Sequence, residues 1–165
     1  MNPNLILFKN NVVEFFTNPI LLCAIISWLT AQLLKLLTTP HYTKKFSVGQ
    51  LCFGTGGMPS SHSAVVCSTA ASCGIIYGYD SALFAISAVF AMIVMKDATG
   101  IRREAGKQAV VINQISEELG QKREKFADIT LHELLGHTPL QVICGAILGF
   151  LMAYLCQRWL FIKLL

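Results

Sequence analysis

Three apolar stretches divide this 165-residue chain, and each is long enough to cross roughly 30 Å of hydrocarbon. They run from Ile20 to Leu37, from Ala64 to Met95 and from Leu140 to Phe161. Hydrophobic residues make up 54% of the sequence and the mean hydropathy is +0.58, too apolar for an ordinary soluble domain of this length. The chain is therefore expected to form one membrane-embedded domain over residues 1–165.

The middle apolar stretch is too long for one spanning helix and predicts a helical hairpin. Gly78, Asp80 and Ser81 have turn composition, so one helix should end near Tyr77 and the next should begin near Ala82. The expected fold is an all-α polytopic membrane bundle with about four spanning helices.

Two segments that are less apolar than these stretches are expected to lie at the membrane surface. Met1 to Pro19 is too short and too polar to span, which favours an interfacial helix or a half-inserted hairpin over a signal peptide. Lys96 to Gly136 has helical composition from Glu104 to about Lys125, with apolar residues at three- and four-residue steps. This second segment predicts a polar surface helix, along the membrane or beneath the bundle.

Basic residues are distributed unevenly over the two sides of a four-span model. Ten lie on the side that carries the 38–55 loop and the polar segment, and three lie on the other side. The ten are Lys35, Lys44, Lys45, Lys96, Arg102, Arg103, Lys107, Lys122, Arg123 and Lys125. The positive-inside rule makes their side cytoplasmic in a cell inner or plasma membrane, although phosphate-binding residues would gather on an active face whatever its orientation.

The cysteines and acidic residues give no sign of a metal site. The six cysteines form no Cys-x-x-Cys pair and mostly lie inside the apolar stretches, where they act as small hydrophobes. The acidic residues of the polar segment form no cluster of ligand type. We expect no metal, no cofactor and no nucleic-acid partner.

A helix start in the segment GGMPSSHSA, residues 56–64, is suited to holding a phosphate. Helix N-termini present unpaired N–H groups and a positive dipole end, Pro59 suits the first turn, and Ser60 and Ser61 add hydroxyl donors. Gly57 would allow the chain to turn, and His62 would lie beside the anion. A serine-rich helix start is often only a cap, so a second, independent feature is needed before the segment indicates a site.

That second feature is another helix start, at residues 137–141. His137 is followed by Thr138 as N-cap, Pro139 as first helical residue and Gln141 as N3 partner of a capping box. In a four-span bundle both helices start on the same side, so His62 and His137 can converge between two positive helix ends. His137 could alternatively be a helix-entry residue without chemistry.

Three basic residues on the same side complete a candidate phosphate pocket: Lys35, Arg102 and Arg103. Arginine donates two parallel hydrogen bonds to a phosphate, and lysine contributes a point charge. Two imidazoles can then divide phosphoryl transfer between a nucleophile and a general acid. The alternatives are that Lys35 anchors its helix at the interface, that the arginines bind lipid headgroups, and that Asp97 pairs with an arginine.

Three ordered motifs carry a resemblance to a known family. They are GGMPSSHSA at 56–64, DATGIRREAGKQA at 97–109 and LLGHTP at 134–139. Together they resemble the divergent branch of the type 2 phosphatidic acid phosphatase superfamily, related to acid phosphatases and vanadium-dependent haloperoxidases. The resemblance implies a metal-independent hydrolase in a helical bundle, acting on lipid phosphates or pyrophosphates.

The resemblance also implies roles for individual residues. His137 matches the histidine that becomes phosphorylated, and His62 matches the histidine that protonates the leaving group. Lys35 resembles the lysine of the first motif, and Arg102 or Arg103 would replace the phosphate-binding arginine.

Three positions depart from the superfamily pattern. Tyr42 stands where an arginine is expected seven residues after Lys35, and Arg103 lies far upstream of His137 rather than close ahead of it. Gln141 replaces the carboxylate expected four residues after the nucleophile, and a neutral amide cannot balance an imidazolium charge. Asp97 is a candidate substitute for that acid.

The function expected from these observations is a membrane phosphatase that cleaves a lipid phosphomonoester or pyrophosphate through a phosphohistidine. One alternative is a non-catalytic phospholipid-binding or transport protein that keeps the pocket, and another is a structural membrane subunit. Gly145 and Gly149 form a small-xxx-small face whose expected use is packing within the monomer.

Overall fold

In a computed structural model the described residues are 11, 13–38, 57–120 and 136–161, and they contain helices and turns but no strand. The helices with both ends described are α1 (Pro19–Thr38), α2 (Ser61–Tyr77), α3 (Ala82–Thr99), α4 (Ile101–Gly120), α5 (Pro139–Leu155) and the π-helix Cys156–Phe161, which continues α5. Residues 13–17, in the predicted interfacial segment, are also helical. The predicted all-α membrane bundle is confirmed. The predictions for the 38–55 loop, for residues 1–10 and for residues 121–135 lie outside the described residues.

Local hydrogen bonds set where several helices begin. The side chain of Asn18 accepts from the N–H groups of Ile20 and Leu21 at 3.0 and 3.1 Å, so α1 begins one residue before the apolar stretch. The turn predicted between α2 and α3 is present: Gly78 has φ 91°, a conformation that favours glycine, and Ser81 caps α3.

Three helical stretches in the described part of the chain are long and apolar enough to cross a membrane. They are Pro19–Thr38, the run Ala82–Ser116 that joins α3 to α4, and Pro139–Trp159. The fourth predicted span, α2, has 17 residues, or about 26 Å at 1.5 Å per residue. It packs against α1, α3 and α5, so this short helix is largely enclosed by its neighbours.

Small residues allow α2 to occupy the centre of the bundle. A Cβ atom on Gly149 would lie 2.5 Å from the carbonyl oxygen of Ala64, and one on Gly145 would collide with the carbonyl oxygen of Ser60. On the opposite side, the Ser27 hydroxyl donates to the Ala64 carbonyl at 3.1 Å. The glycine pair therefore packs inside the monomer, as expected.

The polar helix α4 begins directly after Gly100, at the end of α3. It starts three residues before the predicted Glu104, because the helix resumes immediately beyond the break at Gly100. Glu104 and Lys107 form an exposed ion pair at 2.7 Å, a kind of contact that contributes little to stability. This helix therefore extends the bundle at the end where α3 finishes.

Candidate functional site

Four helix ends meet at one end of the bundle. The N–H of His137, just before α5, donates to the carbonyl of Ala98 in the last turn of α3 at 3.1 Å. The N–H of Ser60, just before α2, donates to the carbonyl of Gln141 at 2.9 Å. Lys35 in the last turn of α1 reaches the first residue of α2. The starts of α2 and α5 are thus bonded to each other and to their neighbours.

The two histidines selected from the sequence are adjacent in space. The ring centroids of His62 and His137 are 5.8 Å apart, with an interplanar angle of 63°. Both rings lie at helix N-termini, where N–H groups and the positive dipole end favour an anion. The two imidazoles and the two helix ends that were predicted to converge therefore lie side by side.

His137 is held by contacts from two directions. It is 5% exposed, and its Nδ1 lies 3.2 Å from Oε1 of Gln141. The same oxygen accepts from the N–H of Thr138 at 3.0 Å, and the Thr138 hydroxyl accepts from the N–H of Gln141 at 3.4 Å. The predicted capping box of Thr138 and Gln141 is therefore present, and its Gln141 oxygen also contacts the ring of His137.

His62 lies in the first turn of α2 and is exposed. Before it, Ser60 is fully buried and caps the helix, with its oxygen accepting from the N–H of Ser63 at 3.4 Å and from the Ser63 hydroxyl at 3.2 Å. Gly57 has φ 79°, which favours glycine where the chain turns into this helix. Ser60 thus serves the helix start, and its phosphate-binding role remains a prediction.

Lys35 is buried rather than extended toward water. It is 2% exposed, and its Nζ donates to the hydroxyl of Ser61 at 3.0 Å. No acidic side chain pairs with it among the residues that the structure describes. A lysine that only anchored a helix at the interface would extend its ammonium into water, so the burial of Lys35 favours the pocket over the anchor.

The other predicted residues lie at the same end of the bundle. Asp97 is half-buried in the last turn of α3, next to Ala98. Arg103 is half-buried in the first turn of α4, and the side chain of Arg102 lies outside the described part. Their supporting and phosphate-binding roles remain predictions.

Two contributors to this end of the bundle were missed in the sequence. The carbonyl of Ala98 is a backbone group, so its residue type carries no signal for the bond to His137. The Thr38 hydroxyl donates to the carbonyl of Met58 and ties the end of α1 to the segment before α2. Over the described ranges, no group of three or more His, Cys, Asp or Glu residues could hold a metal ion.

Comparison with known proteins places these features in a family. The model of the Divergent PAP2 family matches residues 16–152, which include all four helix ends of the site. The chain is 39% identical over 150 residues to a Bacillus subtilis (strain 168) protein named "Uncharacterized membrane protein YuiD", with 85% of this chain and 94% of that protein covered. No solved structure matches the chain. The chain belongs to the Divergent PAP2 family.

Proposed function

We propose that this protein is a membrane phosphatase that hydrolyses a lipid phosphomonoester or pyrophosphate through a phosphohistidine intermediate on His137. The observation that carries the proposal is the histidine pair, 5.8 Å between ring centroids, at two adjoining helix N-termini. Membership of a family described as divergent PAP2 supports phosphatase-related chemistry.

In the first step, the lone pair of His137 attacks phosphorus and the bond from phosphorus to the leaving oxygen breaks. His62 donates its proton to that oxygen, so the lipid leaves as a neutral alcohol or as a shorter phosphate. In the second step, His62 takes a proton from water, and the resulting hydroxide attacks the phosphohistidine. Inorganic phosphate leaves and both histidines return to their starting states.

The surroundings of the histidines suit the charge that develops on the phosphoryl oxygens. The Lys35 ammonium and the Ser61 hydroxyl lie 3.0 Å apart beside the first N–H groups of α2, and all are donors. Donors held in place before reaction stabilise a transition state with little reorganisation. A buried ammonium that hydrogen-bonds a neutral hydroxyl also gains an opposite charge when a phosphate binds.

The location of the site supports the proposal of a lipid substrate. The site lies at one end of helices that are apolar enough to cross a membrane, so a headgroup at the bilayer boundary would reach it without leaving the lipid. Exposed apolar side chains flank the site, among them Leu37 at the end of α1 and Leu140 at the start of α5. The excess of basic residues on this side favours a cytoplasmic active face and anionic lipid partners.

The test is phosphate release by the purified protein in detergent. Phosphatidic acid, phosphatidylglycerol phosphate and isoprenyl pyrophosphates are offered to wild type, to His137→Ala and to His41→Ala, a control that removes a histidine outside the predicted site. We expect release by wild type and the control, and loss with His137→Ala. Equal release by wild type and His137→Ala would contradict the nucleophile.

Gln141 favours a second candidate, a phospholipid-binding or transport protein without turnover. The residue that contacts Nδ1 of His137 is a neutral amide, which orients the ring but cannot balance a positive charge on it. Gln141→Glu distinguishes the two functions. A large gain in hydrolysis supports the enzyme, and unchanged hydrolysis in a variant that still binds phospholipid supports the second candidate.

A further inference from the structure

We propose that α4 is a lipid-docking surface, whose outward apolar stripe lies against the phospholipids of the leaflet at the site end of the bundle. The stripe consists of Ile101, Ile112 and Ile115, with Val111 at its edge, and all four side chains are exposed in the structure. The surface lies outside the histidine pair, and the proposal does not depend on hydrolysis.

Helical spacing gives α4 a packed face and an apolar exposed face. Ile112 and Ile115 are one turn apart and Ile101 lies three turns before Ile112, so the three share one side of the helix. Their exposed fractions are 46%, 51% and 74%. Another side carries Gly106 and Ala109, which are buried.

This pattern is the reverse of that of a helix covering a protein in water. Such a helix turns its large apolar side chains inward and its polar side chains outward. In α4 the buried positions hold Gly106 and Ala109, and the half-buried Asn113 follows on the same side, whereas the isoleucines point outward. The medium against the stripe is therefore apolar.

A third, polar face places α4 in the plane of the membrane interface. Lys107 and Gln114 are both exposed and are seven residues apart, on a side away from the isoleucines. Lys107 also forms its ion pair with Glu104 there. A helix with one apolar and one charged face lies at the boundary between headgroups and acyl chains, with its charges toward water.

Continuity with α3 identifies the occupant as lipid. The exposed side chains of α3 include Phe90 and Ile93, on a helix apolar enough to cross a membrane. Only Gly100 separates the two helices, and its carbonyl accepts from the N–H of Glu104 at 3.0 Å. The stripe thus begins where α3 leaves the hydrocarbon, close to the Ala98 carbonyl that contacts the site.

An open concavity of about 330 Å³ lies beside the stripe and suits a phospholipid. In the described part of the chain it is lined by Lys107, Gln108, Val111 and Ile112. The two apolar side chains can contact an acyl chain while the ammonium of Lys107 is at the level of a lipid phosphate. Residues 101–107 carry three basic residues and one acidic residue, which complements anionic headgroups.

Tryptophan fluorescence of the full chain in liposomes tests the proposal. The background is Trp28→Phe with Trp159→Phe, which removes both native tryptophans. Ile112→Trp then probes the stripe, and Gln114→Trp is the matched control on the polar face of the same helix. We expect Ile112→Trp to emit at shorter wavelength and to lose emission in phospholipids brominated on their acyl chains. Gln114→Trp should lose emission to acrylamide in the water instead.

Two results would overturn the proposal. Equal quenching of the two variants by acrylamide would mean that the stripe lies in water. Protection of Ile112→Trp from both quenchers would mean that a protein surface, and not lipid, covers the stripe.

Photolabelling of the wild-type chain gives a second measurement if a tryptophan variant does not fold. Phosphatidylcholine with a diazirine in its acyl chain is activated by light in liposomes, and the adducts are located by peptide mass spectrometry. We expect adducts on Ile112 and Ile115, as on Phe90 of α3, and none on Gln114. Labelling of Phe90 without labelling of the two isoleucines would overturn the proposal.

Discussion

The two helix starts that form the site, residues 57–62 and 136–141, present their histidines differently. His62 follows its N-cap and stands in the first turn of α2, where it is exposed. His137 precedes its N-cap and is buried, with its backbone bonded to α3 and its ring beside Gln141. A histidine before the cap is fixed by the fold, whereas one after the cap keeps access to solvent. The difference suits a fixed nucleophile and an accessible proton donor.

The largest expected effect comes from replacing the histidine rings themselves. His137→Ala removes the atom that would bond to phosphorus, so the loss of hydrolysis should exceed that of His62→Ala. Removing a general acid typically costs about 10²–10⁴-fold in rate. Initial rates of phosphate release from the same lipid measure both variants. A larger loss with His62→Ala would reverse the assigned roles.

The next effect concerns the contact that holds the two helix starts together. Gly145→Ala places a methyl group against the carbonyl of Ser60, and overpacking of this kind costs about 1–3 kcal/mol. Gly74→Ala is the matched control, because its new methyl meets the ring of Tyr79, an exposed side chain that can move. Unfolding in detergent by denaturant compares the two. Equal stability of both variants would contradict close packing at Gly145.

A smaller effect tests the donors of the α2 start. Ser61→Ala removes a hydroxyl that lies 3.0 Å from the Lys35 ammonium and that would donate to a bound anion. A hydrogen bond to a charged group contributes about 1.5–3 kcal/mol, so vanadate should bind at least about tenfold more weakly. Ser72→Ala is the control from the same helix, since its buried hydroxyl has no hydrogen-bond partner in the described structure. Equal vanadate affinities of Ser61→Ala and wild type would contradict a role of Ser61 in binding the anion.

The smallest effect compares the two caps. Thr138→Ala should cost about 1 kcal/mol, the usual value for an exposed N-cap. Ser60→Ala should cost more, about 1–2 kcal/mol, because it also leaves the buried hydroxyl of Ser63 without its partner. Melting curves of the two variants in the same detergent measure the two losses of stability. A greater loss of stability with Thr138→Ala would contradict the larger contribution expected from the buried cap, Ser60.

Much of the secondary structure could be predicted because its signals are local. The turn at Gly78, the capping residue Ser81 and the capping box of Thr138 and Gln141 act over three or four residues and are legible as short patterns. The end of α1 and the start of α4 shifted by one to three residues, since helix boundaries depend on how each cap competes with its neighbours.

The candidate site was predictable in its residue types and less so in its geometry. Two histidines at similar helix starts indicated convergence, but nothing in the local pattern placed Lys35 against Ser61 or the carbonyl of Ala98 against His137. Those contacts join residues 26 and 39 positions apart in the chain. They exist only after the helices have packed.

By itself the sequence determined that the chain is a helical membrane protein, where its described helices begin and turn, and which residue types could hold a phosphate. Apolar length and capping hydrogen bonds decide these features within a few residues. Only the tertiary structure decided that the short helix α2 lies at the centre and that four helix ends share one site. The physical reason is close packing: Gly145 and Gly149 let α5 approach the backbone of α2, and that distance brings the two imidazoles together.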